Sequence, residues 1–195
     1  MMRPLALRVP LCLLAVVAGL FATGSRAVAA DLADAAHTAR IKKIMAGSLP
    51  LLGHRNWIVV ADSAYPAQAR EAIKTIYIGG DQVAAVKTVL EALGAAPHVQ
   101  PKIYIDAELE HVPEADAPGI DRYRTDLVKL LGGRPAQREP HIDIIEKLDE
   151  TAKAFDVLIL KTDLTLPYTT VFMELDCRYW NEEKEAKLRA ALEKK

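Results

Sequence analysis

Two short runs of unbroken apolar residues stand out along the chain, Trp57-Ile58-Val59-Val60-Ala61 and Val157-Leu158-Ile159-Leu160. A third stretch, Thr169 to Leu175, is nearly as apolar and starts with two threonines. Runs of this length, rich in branched side chains and bounded by polar or turn residues, read as strands buried on both faces. Ile73 to Ile78, closed by Gly79-Gly80, and Lys102 to Asp106 add two more strands. Between them the apolar spacing changes to three and four, the signature of a helix face. Ile41, Ile44 and Met45 mark a helix within Asp34 to Leu52, broken at Ser48-Leu49-Pro50. Val83, Val86, Leu90 and Leu93 mark a second, with Asp81 as its N-cap and Gly94 as its stop. Ile120, Tyr123, Leu127 and Leu130 mark a third, closed by Gly132-Gly133, and Leu148 and Ala152 lie inward on a fourth, Ile145 to Phe155. Glu108 to Gly119 and Gly133 to Pro140 read as polar connections. Strands alternating with helices predict an α/β domain, layered around a mostly buried sheet. Residues 181–195 read as a charged C-terminal helix with Ala186, Leu188 and Leu192 spaced along it.

The first thirty residues break this pattern. Arg3 and Arg8 precede an apolar run from Leu11 to Phe21, and Ala27-Val28-Ala29-Ala30 follows. A positive start, an apolar middle and small residues before a polar one make a signal peptide over 1–30, cleaved near Ala29 or Ala30. The run is short for a bilayer core that takes about 20 residues to cross, so no stable membrane span is expected after its removal. The expectation is an exported protein, periplasmic or secreted.

Composition narrows the function. A chain of 195 residues, 51% of them apolar, can bury one substantial core. Basic and acidic residues number 25 and 26, with no basic stripe, which argues against a nucleic-acid surface. Loss of Arg3, Arg8 and Arg26 with the signal would leave 22 basic residues against 26 acidic. Cys12 would go too, leaving Cys177 without a disulfide partner. The five histidines, at 37, 54, 98, 111 and 141, show no metal-ligand spacing. There is no Gly-rich phosphate loop and no Gly-x-Ser-x-Gly turn. A bound metal is not expected from this histidine spacing.

Two segments could carry chemistry. Gly53-His54-Arg55-Asn56 leads into the first apolar strand and Asp62 leaves it. In α/β sheets, sites gather where strands end and loops begin. His54 and Asp62 are separated by about 26 Å of extended chain, so one subunit does not readily bring them together. They either cap their neighbouring elements, or meet across subunits or through a bent approach loop. The second segment is Lys161-Thr162-Asp163, then Leu166-Pro167-Tyr168-Thr169-Thr170. A tyrosine hydroxyl at a strand end can hydrogen-bond a sugar hydroxyl, or pack in a turn.

Taken together, these segments resemble the ribose pyranase and fucose mutarotase (RbsD/FucU) family. Gly53-His54, the strand, Asp62 and Pro66 are similar to the family's Gly-His-x-Asp-x-strand-x-Asp-Ala-x-x-Pro. Lys161-Thr162-Asp163 to Tyr168-Thr169-Thr170 is similar to its Arg-Thr-Gly-Glu-x-x-x-Tyr-Ala/Gly-Asn. Lys153-Ala154-Phe155 also looks like the fucose branch, and the order of elements agrees from about Ala35 to Leu175. The resemblance implies a three-layer α/β/α RbsD-like domain over 31–180 with a mixed sheet. It implies an isomerase that interconverts ring forms or anomers of a free monosaccharide without a cofactor. It also implies ring-shaped homo-oligomers, often decamers, with sites shared between subunits.

By the same resemblance His54 is the general acid/base, a group that titrates near neutrality and can both take and give the protons of hemiacetal opening. Asp62 and Tyr168 orient the sugar, joined by Thr170 and by His141, which lies close to the place of the family's basic residue. Arg55, beside His54 where many members have a small or polar residue, is a further candidate for substrate binding. Thr170 stands where the family has asparagine, and Asp163-Leu164 where it has Gly-Glu. These exchanges motivate two alternatives on the same fold: an inactive carbohydrate-binding protein and a structural oligomer.

Overall fold

The computed structural model describes residues 32–193. The expected signal segment, 1–30, lies outside them. Two units are distinguished, meeting between Ala36 and His37. Residues 32–36 of the first are helical, and the second carries the fold described below.

Its elements follow the apolar pattern. Helix α1 spans 37–48 and ends in a 3-10 turn, Leu49–Leu51, where Pro50 cannot continue the helical hydrogen bonds. Strands β1 (Trp57–Ala61) and β2 (Ile73–Tyr77) precede α2 (Gln82–Ala95). The Asp81 side chain accepts the Ala84 N–H, capping α2 as its sequence predicts. Strand β3 (Val99–Asp106) runs into a 3-10 turn, Ala107–His111, then α3 (Ile120–Leu131) and β4 (Ala136–Glu139). Helix α4 (His141–Thr151), β5 (Val157–Lys161), β6 (Val171–Cys177) and α5 (Glu182–Leu192) complete the chain.

The strands form one mixed sheet in the order β2-β5-β1-β6-β3-β4. β1 is parallel to β5, as are β2 to β5 and β3 to β4, while β6 is antiparallel to both β1 and β3. Side chains alternate between its faces, as strand geometry requires. Ile58, Val60, Leu158, Leu160, Val171 and Met173 point to one face, where they pack with α1, α2 and α3. Val59, Ile159 and Phe172 point to the other, against Ile144 and Leu148 of α4. The expected three layers are therefore present. α5 buries none of its residues and holds its surface ion pairs at helical spacing, Glu183 with Lys187 and Glu185 with Arg189.

Several boundaries differ from the sequence reading, β6 among them, which runs Val171–Cys177 and not Thr169 to Leu175. α2 passes through Gly94 to Ala95, because packing of Leu90 and Leu93 outweighs the roughly 1 kcal/mol cost of a helical glycine. β3 begins at Val99 and includes Pro101, which sits where β4 does not reach, since β4 pairs only with Ile103 to Asp106. The presumed connection 133–140 contains β4, four residues with no apolar alternation, ordered by backbone pairing to β3. α4 starts at His141 and ends at Thr151, shifted toward the N-terminus of the expected Ile145 to Phe155.

Among the described residues no helix is long and apolar enough to cross a membrane. The central strands supply the stability. Ile159→Ala, fully buried between β1 and β2, is expected to lower the unfolding free energy by about 2–5 kcal/mol in urea denaturation. Leu188→Ala on α5 should change it by no more than about 0.5 kcal/mol.

Candidate functional site

Sheet register decides which loops meet. Val171, the first residue of β6, pairs with Val60 near the end of β1 and with Ile105 near the end of β3. Asp62, Asp106 and Thr170 therefore leave three adjacent strands at one end of the sheet. β4 runs parallel to β3, with Glu139 opposite Asp106, so Pro140 and His141 emerge at the same end. Together they wall a cavity of about 380 Å³, whose lining includes Asp62, Tyr65, Asp106, His141, Tyr168 and Thr170.

Each side chain is held. The Asp62 carboxylate accepts the Ala64 N–H at 2.8 Å through Oδ1 and the Thr170 hydroxyl at 3.1 Å through Oδ2. The first bond closes the turn after β1, and the second ties that turn to the start of β6. Tyr65 is buried with its ring edge-on to Phe172, and burial pushes its hydroxyl up to about 12. It remains a neutral donor at any physiological pH. Lys161 Nζ donates to the Tyr65 carbonyl at 2.7 Å, fixing this loop to β5.

Tyr168 has a left-handed backbone, φ +56°, which costs a residue with a side chain about 1–2 kcal/mol. That conformation stands the ring edge-on to the His141 imidazole, 5.8 Å between centroids. Beneath it lies a buried polar network. The Gln82 amide donates to the Thr169 carbonyl at 2.5 Å and to the Tyr123 hydroxyl at 3.1 Å, and Tyr123 donates to the same carbonyl at 2.6 Å. Thr162, fully buried at the end of β5, has its hydroxyl 2.9 Å from both Gln82 Oε1 and the Ala61 carbonyl.

His141 opens α4. Its backbone N–H donates to the Glu108 carboxylate, both oxygens at 3.0 Å, and its Nδ1 lies 3.1 Å from Asp106 Oδ1. Asp106 is 1% exposed, and its Oδ2 has no hydrogen-bond partner. Burial pushes this carboxyl up to about 6; the His141 contact pulls the other way, and the nearby Glu108 and Asp62 charges push it further up.

His54 and Arg55 are elsewhere. Both are exposed at the opposite end of β1. Arg55, in a left-handed backbone with φ +75°, donates its N–H to the Leu175 carbonyl at 2.7 Å, and its guanidinium lies over the Phe155 ring. Within one chain, then, the structure groups Asp62, His141, Tyr168 and Thr170 and leaves His54 and Arg55 apart. Asp163 also turns away: its carboxylate takes the Tyr77 hydroxyl at 2.6 Å and the Gly80 N–H at 2.8 Å, which hold its pKa low. Sequence reasoning missed the wall residues Tyr65 and, more tellingly, Asp106. An acidic residue closing an apolar strand was its visible signal, the same one that picked out Asp62. No cluster of three or more His, Cys, Asp or Glu side chains among the described residues is arranged to hold a metal ion.

No family model matches the chain, and no curated protein matches it either. Solved structures do. The structure of Bacillus subtilis RbsD complexed with D-ribose is 18% identical, with a TM-score of 0.47 over 66% of this chain and 88% of its own. The fucose mutarotase from Streptococcus pneumoniae, in complex with L-fucose, is 18% identical, with a TM-score of 0.43 over 66% of this chain and 87% of its own. FucU from Bifidobacterium longum is 16% identical, with a TM-score of 0.42 over 63% of this chain and 86% of its own.

The raised Asp106 pKa makes stability depend on pH. The folded chain holds this proton up to about pH 6, whereas an unfolded chain releases it near the ordinary value of 3.8. The stability tied to it is fully present below pH 3.8 and lost as pH rises through about 6. Asp106→Asn, neutral throughout, should therefore gain on the wild type by on the order of 2–3 kcal/mol between about pH 4 and pH 7 in urea titrations.

Proposed function

We propose that this cavity binds a free monosaccharide and interconverts its ring forms or anomers without a cofactor. The observation that carries the reading is the convergence on one cavity of Asp62, of the Tyr168–Thr170 segment, and of His141, which the family resemblance suggested. Its volume falls within the range of about 300–1,000 Å³ typical of small-molecule sites. Its groups suit a polyol: carboxylates accept from sugar hydroxyls, and a phenol and an imidazole can donate or accept. The resemblance of the Gly53–Pro66 and Lys161–Thr170 segments to the mutarotase motifs supports the same reading.

Hemiacetal opening removes a proton from the anomeric hydroxyl and delivers one to the ring oxygen. His54, at the far end of β1, reaches the cavity only from a second copy of the chain, so the proposal includes a homo-oligomer with shared sites. A second reading, a binding protein without turnover, is favoured by one contact. The Thr170 hydroxyl, where the family has an asparagine amide, is already engaged with Asp62.

Saturation-transfer NMR on a panel of free aldoses, D-ribose and L-fucose included, tests both. Catalysed anomer or ring exchange above buffer is expected, with Asp62→Ala and His54→Ala each reducing it by about 10²-fold or more. Mixing the two inactive variants under conditions that reshuffle subunits should restore part of the rate, because mixed oligomers rebuild some intact sites. Exchange equal to buffer, with calorimetric uptake of a sugar, would leave the binding protein. Neither exchange nor uptake across the panel would exclude both readings.

A further inference from the structure

Asp106 is an expensive residue where it stands. It is a carboxylate with almost no solvent access, one oxygen on an imidazole and the other without a partner. Burying a half-satisfied charge is costly, and an apolar residue or an amide would serve packing alone at lower cost. Groups kept in such a state concentrate at sites of chemistry.

Its partner is fixed from three sides. Glu108 takes the His141 backbone N–H, Tyr168 stands against the ring edge, and Asp106 takes Nδ1. Nε2 is the remaining ring nitrogen, without a hydrogen-bond partner among the described residues, on a side chain that lines the cavity. A carboxylate can only accept, so an ionised Asp106 makes Nδ1 the protonated nitrogen and leaves the lone pair on Nε2.

Given the sugar reading above, on which this rests, we infer that Asp106 is a positioning residue that locks His141 in the Nδ1–H form and makes its Nε2 the proton acceptor for the anomeric hydroxyl. In the opening step Nε2 takes the proton from that hydroxyl. The freed oxygen pair becomes the second bond of the carbonyl, and the bond from the anomeric carbon to the ring oxygen breaks. The ring oxygen keeps that pair and takes a proton from the protonated His54 of a second copy. Closure on either face of the carbonyl returns both protons, so the cycle consumes nothing. Asp106 balances the imidazolium while it exists, as a buried carboxylate does for a catalytic histidine elsewhere.

Glu108 after β3 and Asp62 after β1 are the acidic groups that push the Asp106 carboxyl up, while Glu110, Arg124, Lys129 and Arg138 line the cavity on its other side. The two acids favour a proton on the pair. The acceptor therefore weakens on the acid side, because the Asp106 carboxyl, pushed up to about 6 chiefly by burial, takes up a proton and no longer holds Nδ1–H as a pure acceptor.

The test uses the full chain with ¹⁵N-labelled histidine. Long-range ¹H–¹⁵N spectra at about pH 8 should show the Nδ1–H pattern for His141, assigned by its loss in His141→Gln. In Asp106→Asn the Nε2–H form should become populated, because an amide can donate to Nδ1. In the exchange experiment His141→Gln should cut the maximal rate by about 10²-fold or more. Asp106→Asn should cut it by at least about 10-fold at little change in KM, and displace the acid limb of the wild-type profile. A merely structural Asp106 would move neither the tautomer nor that limb. An Nε2–H pattern in the wild type, or an unchanged rate and pH profile in Asp106→Asn, overturns the inference. A folded wild type that exchanges no sugar overturns the sugar reading instead, and the spectra tell the two failures apart.

Discussion

The primary amide of Gln82 is the contact on which the floor of the cavity depends. It is 1% exposed, and it joins elements far apart in sequence. Its nitrogen holds the Thr169 carbonyl and the Tyr123 hydroxyl, and its oxygen lies beside the Thr162 hydroxyl. One side chain thus links α2, α3, the end of β5 and the segment that presents Tyr168 and Thr170. Every member of this network has a partner, so burial strengthens the bonds rather than exposing a deficit. A strained tyrosine can sit directly above because the next residue is held from below.

The wall has the opposite character. Asp106 carries an unpartnered oxygen, Tyr168 adopts a left-handed backbone, and Asp62 spends its two oxygens holding a turn to a strand. The layers beneath are consistent at every level: strand alternation, helix faces and caps agree with the packing they meet. Local conflict gathers at one end of the sheet, with the left-handed Arg55 at the other end of β1 as an exception, the pattern expected where a fold accommodates a site. Mixed topology places it there. Because β6 runs against β1 and β3, its first residues meet the last residues of both, and loops from distant parts of the chain share one mouth.

Strands β1, β5 and β6 were legible because their apolar runs leave no other way to satisfy both faces. The helix faces were legible from spacing, and Asp81 was legible as a cap. β4 was not, because Ala136 to Glu139 has no pattern of its own and is ordered only by backbone bonds from β3. The start of α4 was missed for a related reason: Pro140 and His141 follow directly from β4, so misreading one displaced the other. Asp62 and the Tyr168–Thr170 segment could be singled out as strand-end groups suited to sugar hydroxyls, and His141 only through the family resemblance. Asp106 was visible only as the end of a strand, since nothing in its neighbours signals that a histidine 35 residues later will sit on it.

The amino-acid sequence by itself determined the layered α/β class, the elements of the core and the chemistry of the residues at strand ends. Those follow from local periodicity and from the hydrogen-bonding capacity of single side chains. Only the tertiary structure decided which strand ends coincide. Strand order and direction are set by pairing between segments 33 to 117 residues apart, and pairing leaves no mark on either segment alone. That is why His54 and Asp62, close in sequence, stand at opposite ends of β1. Asp106 and His141, far apart in sequence, meet within 3.1 Å.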